Sequence, residues 1–516
     1  MKKKLWLIPI VGIVFALVFA LGAVAMVTSH SAQCAYCAEK GDMDGDGKVG
    51  LDDAIYLLYH INFPGSYPLA GCENTDFDAE PKPLLAGYAE RDFTPTVMGG
   101  VMPGASYVQY AKKVELPLSA SAVALECGDD SLILISMDLL RFASNDAAFM
   151  RQKITAATGV PGENIMIVAT HTHTSIALNV KYNLCEPDEE IFNHATDMAV
   201  EAATAAWNTR EGAKIGSGTT TLEGYSFCRE AYMTSGKVKT WPTNASKIDR
   251  LISIPDQSVN VIRMDDLNGE VKGLVVNYAN HPDTTPNGGY NSDWPGYMRK
   301  VLKEEYGEEL VIVFLNGANG DVNHYDYLNS TDGDREYKSI GTALANKVIE
   351  LCNTMTPDED FPVLKASSEI YEAPMRTITQ EQLEWAQEKL NLIENGGSVS
   401  SLDKKFAVEY TTTDYSRYGD TYEIEIQTLV LGDFALVGLP CQPYSEIGHK
   451  IREKSPYENT MIVSLANGEY GYVTPDSLLG TDSYGARFSI YTSRSGYGTA
   501  DLLIDHSVAM LKKLKK

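Results

Sequence analysis

Histidine is scarce in this chain, with nine residues in 516, and tryptophan is scarcer at five. Two histidines close together in sequence are therefore informative. Cysteine is sparse as well: eight thiols in so long a chain are too few for a disulfide framework. Cys34, Cys37 and Cys72 fall near the N-terminus and the other five are scattered. Basic residues are outnumbered, 43 Lys and Arg against 69 Asp and Glu, which gives a formal net charge of −26. That excess argues against nucleic acid and anionic membrane surfaces as partners, and favours solubility and cation binding. What remains, 44% hydrophobic and 22% charged residues, is ordinary globular material. The length allows roughly three domains or one large α/β domain.

The N-terminus opens with Lys2, Lys3 and Lys4, followed by an uncharged apolar run over residues 5–27. Lysines ahead of such a run hold that end in the cytoplasm and send the rest across the membrane. Residues 1–33 are thus expected to be a signal peptide, with a small-x-small site at Ala23-Val24-Ala25, or an uncleaved anchor. The protein is expected to be exported, either secreted or held on the outer face of the cytoplasmic membrane. Next come Asp42, Asp44, Asp46, Lys48 and Asp53 at positions 1, 3, 5, 7 and 12 of a loop, with Gly47 at position 6 and Val49 at position 8. Oxygens at that spacing converge on a hard cation and the glycine supplies the sharp turn, so calcium is expected there. An apolar helical face, Ile55, Leu58 and Ile61, follows. The pattern resembles one half of a dockerin. The second candidate loop, Asp76 to Glu80, is followed by Pro81 where the turn glycine belongs. Residues 41–80 are expected to form a dockerin-like, EF-hand-like calcium module that offers a surface for a cell-surface or cohesin-like partner.

From residue 85 the chain changes character, and residues 85–516 read as one domain. Short apolar runs at 122–127, 131–137, 165–169, 259–264, 273–278 and 310–315 suit buried strands. Helical patterns alternate with them at 147–157, 193–207, 295–306 and 337–353. Thr379-Gln-Glu-Gln382 is a capping box that opens a helix, residues 396–401 form a flexible joint, and 422–430 with 434–439 form a hairpin. A helix over 444–454, a strand over 460–465 and a closing helix over 501–514 complete the chain. Strands and helices do not keep a clean βαβ rhythm. The expected class is therefore α/β in the mixed α+β sense, with mixed sheets flanked by helices.

Two of the apolar runs deliver histidine at their ends. Thr170-His171-Thr172-His173-Thr174 follows 165–169, and Asn280-His281-Pro282-Asp283 follows 273–278. Imidazoles at i and i+2 of an extended chain point the same way, so His171 and His173 can look into one cavity. Asn291-Ser292-Asp293, the loop Asn316 to Asp321, Leu439-Pro-Cys-Gln442 and Tyr470-Gly-Tyr472 complete an ordered set. That set resembles the catalytic domain of neutral (non-lysosomal) ceramidases, from about residue 85 onward.

The resemblance implies a single zinc ion held by His171, His281, Gln442 and Tyr472. It makes His173 a proton-transfer or stabilising group, Ser292 the active-site serine and Arg229 the substrate-side arginine. Tyr472 and Ser292 would then steady a developing oxyanion. A zinc ion in such a shell lowers the pKa of its water towards ~7 and allows attack on an amide carbonyl. The implied activity is hydrolysis of an N-acyl amide, from a small molecule or a ceramide-like lipid.

Each assignment has a plainer rival. His281 could cap a strand before Pro282, Ser292 with Asp293 could cap a helix, and Tyr472 could be core, with Tyr470 its competitor. Gln442 stands where the family has a carboxylate, and a neutral amide oxygen binds zinc less strongly. Glu446, one helical turn on, is a candidate replacement. A non-catalytic surface binding protein with a degenerate metal site is the alternative from a different class.

Overall fold

The structure is a computed structural model that describes residues 83–516 apart from 183, 286–287, 330–335 and 359–361. The described residues belong to one compact unit, Pro81–Lys516. The apolar N-terminal run and the expected calcium loop, Asp42 to Asp53, lie outside them.

Eight strands form the larger sheet: β1 Leu85–Asp92, β2 Ser119–Cys127, β3 Asp130–Met137, β4 Ile165–Ala169, β5 Glu211–Thr221, β6 Ser258–Asp266, β7 Val271–Tyr278 and β8 Val311–Asn316. Their order is β8-β7-β6-β5-β1-β2-β3-β4. The pairs β3/β4 and β7/β8 are parallel and the other pairings are antiparallel, so the sheet is mixed. The helices in chain order are α1 Ser144–Thr158, α2 Glu189–Asn208, α3 Asp293–Tyr306, α4 Tyr337–Cys352, α5 Gln380–Glu394, α6 Ser401–Thr412, α7 Ser445–Lys454 and α8 Thr499–Lys515. A second sheet runs β9 Leu364–Pro374, β10 Thr421–Leu431, β11 Phe434–Leu439 and β12 Asn459–Ser464, in that spatial order.

Uninterrupted apolar strands are buried on both faces because each face meets a different partner. Along β3, Ile133 and Ile135 pack with Met150 and Ile154 of α1 and with Phe192 and Ala199 of α2. The alternate residues Leu132 and Leu134 pack with Leu429, Phe434 and Leu436 of the second sheet. The other side of that sheet, Ile426 and Val437, is covered by Ile447 and Ile451 of α7 and by Leu503 and Leu511 of α8. Period-two burial thus forces helices outside and sheets inside. At the β6–β7–β8 end, Trp294, Met298 and Leu302 of α3 and Ile340 and Leu344 of α4 cover Val276, Ile312 and Phe314.

The large sheet curls. Phe314 N donates to Ser136 Oγ at 3.3 Å and Asn316 Nδ2 donates to Thr170 O at 3.2 Å. This brings β8, at one edge, against β3 and β4 at the other. The chain that leaves β4 therefore meets the chain that leaves β7.

Most of the sequence-based elements are present, with shifted ends. The 193–207 helix starts at Glu189, where the Asp188 carboxylate accepts from Ile191 N. Beyond the joint at 396–401 the chain forms a helix that its sequence did not announce, α6, capped by Ser400 and buried through Phe406, Ala407 and Tyr410.

Candidate metal centre

The approach to the site begins beneath it. Asp138, directly after β3, is fully buried and pairs with Arg299 of α3. It also accepts from Ser119 N at 2.9 Å and from Thr170 Oγ1 at 3.2 Å. Burial pushes the Asp138 carboxyl up while Arg299 pulls it down. This knot fixes the ends of β3 and β4 to each other.

Above it, His171 adopts a left-handed backbone, φ 73°. A non-glycine residue there is uncommon, and such outliers gather at functional sites. The turn corrects the simple extended picture of Thr-His-Thr-His. His171 and His173 meet, with ring centroids 5.0 Å apart, because the chain bends and not because it runs straight. The flanking threonines hold the bend: Thr172 Oγ1 donates to Asn291 O at 2.6 Å and Thr174 Oγ1 to the same oxygen at 2.9 Å. His281 arrives from the end of β7. Its segment is pinned by Asp293, whose carboxylate accepts from Thr284 N, Thr285 N and Trp294 N at 3.0, 3.1 and 2.7 Å.

All three imidazoles use Nδ1 in the same way. His171 Nδ1 lies 2.8 Å from Leu140 O, His173 Nδ1 2.7 Å from Gly104 O, and His281 Nδ1 3.1 Å from Asn319 O. A carbonyl can only accept, so each ring carries its proton on Nδ1 and presents a bare lone pair on Nε2. The His171 and His281 Nε2 atoms are 3.2 Å apart, and His173 Nε2 is buried without a partner. One ligand nitrogen from each of the three rings falls within 4.8 Å of the others. Lone pairs facing one another repel unless a cation lies among them. Burial, the neighbouring rings and Arg229 hold the pKa of His171 and His281 well below the usual 6.5, and burial lowers His173 as well. Neutral imidazoles with the second nitrogen hydrogen-bonded are what a borderline-soft divalent metal takes as ligands. The donor set fits zinc.

Arg229 borders this cluster. It is buried, donates from Nη2 to Gly320 O at 2.8 Å, and has Nη1 3.5 Å from His281 Nε2. Its guanidinium carbon lies 5.4 Å from the Tyr472 ring centroid and 5.7 Å from that of Trp241. Tyr472 is thus linked to the histidines through Arg229. Burial pushes its phenol up, so it carries its proton at neutral pH. Gln442 pairs in register with Tyr472 across two short parallel strands. Its Nε2 donates to Glu469 Oε1 at 3.0 Å and its Oε1 is buried without a partner. Glu469 in turn pairs with Arg141 at 2.5 Å.

Glu446 and Tyr470 make their contacts elsewhere, and Ser292 lies at the start of α3. Glu446 is half exposed and accepts from Lys450 at 2.6 Å, so it faces solvent and not the imidazoles. Ser292 is buried at the N-cap position of α3 over Gly296, where an added Cβ would come within 1.8 Å of its Oγ, and its side chain makes no capping hydrogen bond. Tyr470 shares a hydrogen bond with Ser144 at 2.5 Å and packs against Tyr422.

Sequence reasoning missed four charged neighbours: Asp283, Arg141, Glu469 and Lys405. Burial works against the Asp283 carboxylate, yet His324 at 3.2 Å and the imidazoles hold it well below the usual range. Asp283 could have been found, two residues after His281. Lys405 could not, because it comes from α6; it bonds Tyr484 at 3.2 Å and Thr492 at 3.0 Å. A cleft of about 460 Å³ opens beside Tyr484 and Trp241, whose rings also pack towards Tyr472 and Arg229.

No known protein-family profile matches the chain, and no curated protein does. Among solved structures, neutral ceramidase from Pseudomonas aeruginosa superposes with a TM-score of 0.63 at 18% identity, covering 84% of this chain and 75% of that one. A ceramidase complexed with C2 gives 0.63, 18%, 84% and 76%. The chain has a ceramidase-like fold. On this ceramidase-like fold, the His171–His173–His281 cluster is a group of side chains that could hold a metal ion.

Proposed function

We propose that the protein is a zinc-dependent amidohydrolase that cleaves an N-acyl amide, ceramide-like lipids included. The observation that carries the reading is the convergence of three neutral Nε2 atoms on one buried point, and the ceramidase-like fold supports it.

His171 and His281 would hold the metal, with Tyr472 and Gln442 on the adjoining strands as the remaining oxygen donors. When bound, zinc would supply Lewis acidity at an acyl carbonyl and a nucleophile at neutral pH. His173 receives a proton at Nε2 and returns it to the leaving amine, since its Nδ1 is committed to Gly104 O. Arg229 and the protonated Tyr472 phenol favour negative charge developing on the carbonyl oxygen. Asp283 holds negative charge beside the imidazoles. Trp241 and Tyr484, at the cleft, bind the apolar part of the substrate. Ser292 keeps its place as a proposed active-site residue. The N-terminal run supports export, and the Asp42 to Asp53 loop supports a calcium site.

Metal analysis of the purified protein, with hydrolysis of an N-acyl amide series before and after chelation, tests this. One zinc per chain and activity lost to chelator, then restored by zinc, are expected. Absence of both metal and hydrolysis in the natural protein, with both appearing in Gln442→Glu, would show a degenerate site and favour a binding role.

A further inference from the structure

Residues 97–114 form a hairpin that meets the imidazole cluster through Gly104 O and whose side chains take no part in the chemistry. It is held at its base by Gly99 N to Ala111 O at 2.8 Å and Ala111 N to Gly100 O at 2.9 Å, with Val101 opposite Tyr110 and Met102 opposite Gln109. Met102 and Ala111 are buried in the core below. The outward side is apolar. Val97, Met98, Tyr107, Val108, Tyr110 and Val114 are six of the sixteen large hydrophobic side chains exposed among the described residues, and Val97 is 77% exposed. Single exposed apolar residues need no explanation, but a concentration of this kind marks an interaction surface.

Charge narrows the partner. The stretch 93–114 contains no acidic residue in a chain that has 69, and it carries Lys112 and Lys113. Valine, methionine and tyrosine beside lysine is the composition of segments that enter the boundary between headgroups and acyl chains. The molecule as a whole, at a net charge of −26, is repelled by an anionic membrane. The hairpin is also secured by its own short ladder, so its outward side chains are presented on a fixed backbone.

The hairpin belongs to the site. Gly104, at its turn, accepts from His173 Nδ1 at 2.7 Å, and Ser106 shares a hydrogen bond with Ser401 at the start of α6, the helix that carries Lys405. We propose that the 97–114 hairpin docks the protein on a lipid surface of net-neutral headgroups and so holds the imidazole cluster at that boundary. The docking stands on the hairpin alone; its use in turnover rests on the amidohydrolase reading.

Hydrogen exchange of the full-length protein, with and without phosphatidylcholine vesicles, reads the docking segment by segment. Amides of 97–114 should gain protection of about tenfold or more on vesicles, and the gain should vanish in Val108→Ser/Tyr110→Ser. An unchanged rate on vesicles overturns the proposal. So does protection that appears only with anionic vesicles, or protection already present in buffer that follows protein concentration or reports cover by residues 1–80. In turnover, the double variant should raise KM for a vesicle-borne N-acyl amide about tenfold and leave a soluble short-chain amide unaffected. If exchange shows docking while no amide is hydrolysed, the amidohydrolase reading fails and the docking stands.

Discussion

Gln442→Glu is the most informative single substitution. In the natural protein Gln442 Nε2 donates to Glu469 Oε1 at 3.0 Å inside a buried pocket, and Arg141 neutralises the far oxygen of Glu469. The substitution replaces a donor with a second carboxylate. Two unit charges at that separation repel by roughly 5–6 kcal/mol at an effective dielectric near 20. Arg141 attracts both and offsets part of this, leaving a net cost of about 2–3 kcal/mol in chelator-treated protein at neutral pH. The introduced carboxyl can shed the repulsion by taking up a proton. The folded variant then binds protons more readily than the unfolded chain, so its stability relative to the natural protein falls as pH rises. The deficit is small below about pH 4 and complete by neutrality. Urea denaturation of both proteins with chelator, from pH 4 to pH 8, measures it directly. Zinc added at pH 7 should recover more stability in the variant than in the natural protein if residue 442 completes the site. Equal denaturation midpoints across the whole pH range would refute the Gln442–Glu469 contact and the placement of residue 442 that depends on it.

Other outcomes follow from the same geometry. His281→Ala removes one of the Nε2 atoms 3.2 Å apart and should lower zinc affinity by about a hundredfold or more, read by competition with a chromogenic chelator. Gly104→Ala places a Cβ 2.1 Å from His173 O, so zinc content and kcat should fall while far-ultraviolet circular dichroism is retained. Asp138→Ala strands the buried Arg299 guanidinium and the Ser119 amide, and should cost roughly 3–5 kcal/mol in urea denaturation. The Asp256 carboxyl is penalised by burial but held below its usual 3.8 by Arg452 and Ser258. Its stabilisation is therefore complete above about pH 4 and fades as pH drops through the lowered value. Asp256→Asn should lose stability at pH 7 and little at pH 2.5.

The parts of the fold that were legible in the sequence are those whose own side chains demand burial. Ile165–Ala169 and Val271–Tyr278 are apolar because both faces are covered, and Thr379 with Gln382 forms the capping box that its spacing implies. Glu211–Thr221 and Leu364–Pro374 were not legible, since glycine, threonine and half-exposed alternation give them little identity. They are strands because long neighbours pair with them, Ser258–Asp266 over nine residues and Thr421–Leu431 over eleven. In the site, the histidines stood out through rarity and position. Their support did not: Gly104 lies 69 residues before His173 in the chain, and only the fold brings it to the ring. Glu446 was a reasonable substitute for a missing carboxylate on helical spacing alone. The direction of α7 turns it outward to Lys450.

The three rings are steered by main-chain oxygens of residues 104, 140 and 319, not by carboxylates or amides of other side chains. A peptide oxygen survives almost any exchange of the side chain attached to it. Tautomer and ring direction are therefore insulated from substitution nearly everywhere except at position 104, where there is no room for a side chain. A protein built this way can rewrite most of its surroundings without turning a nitrogen away from its target.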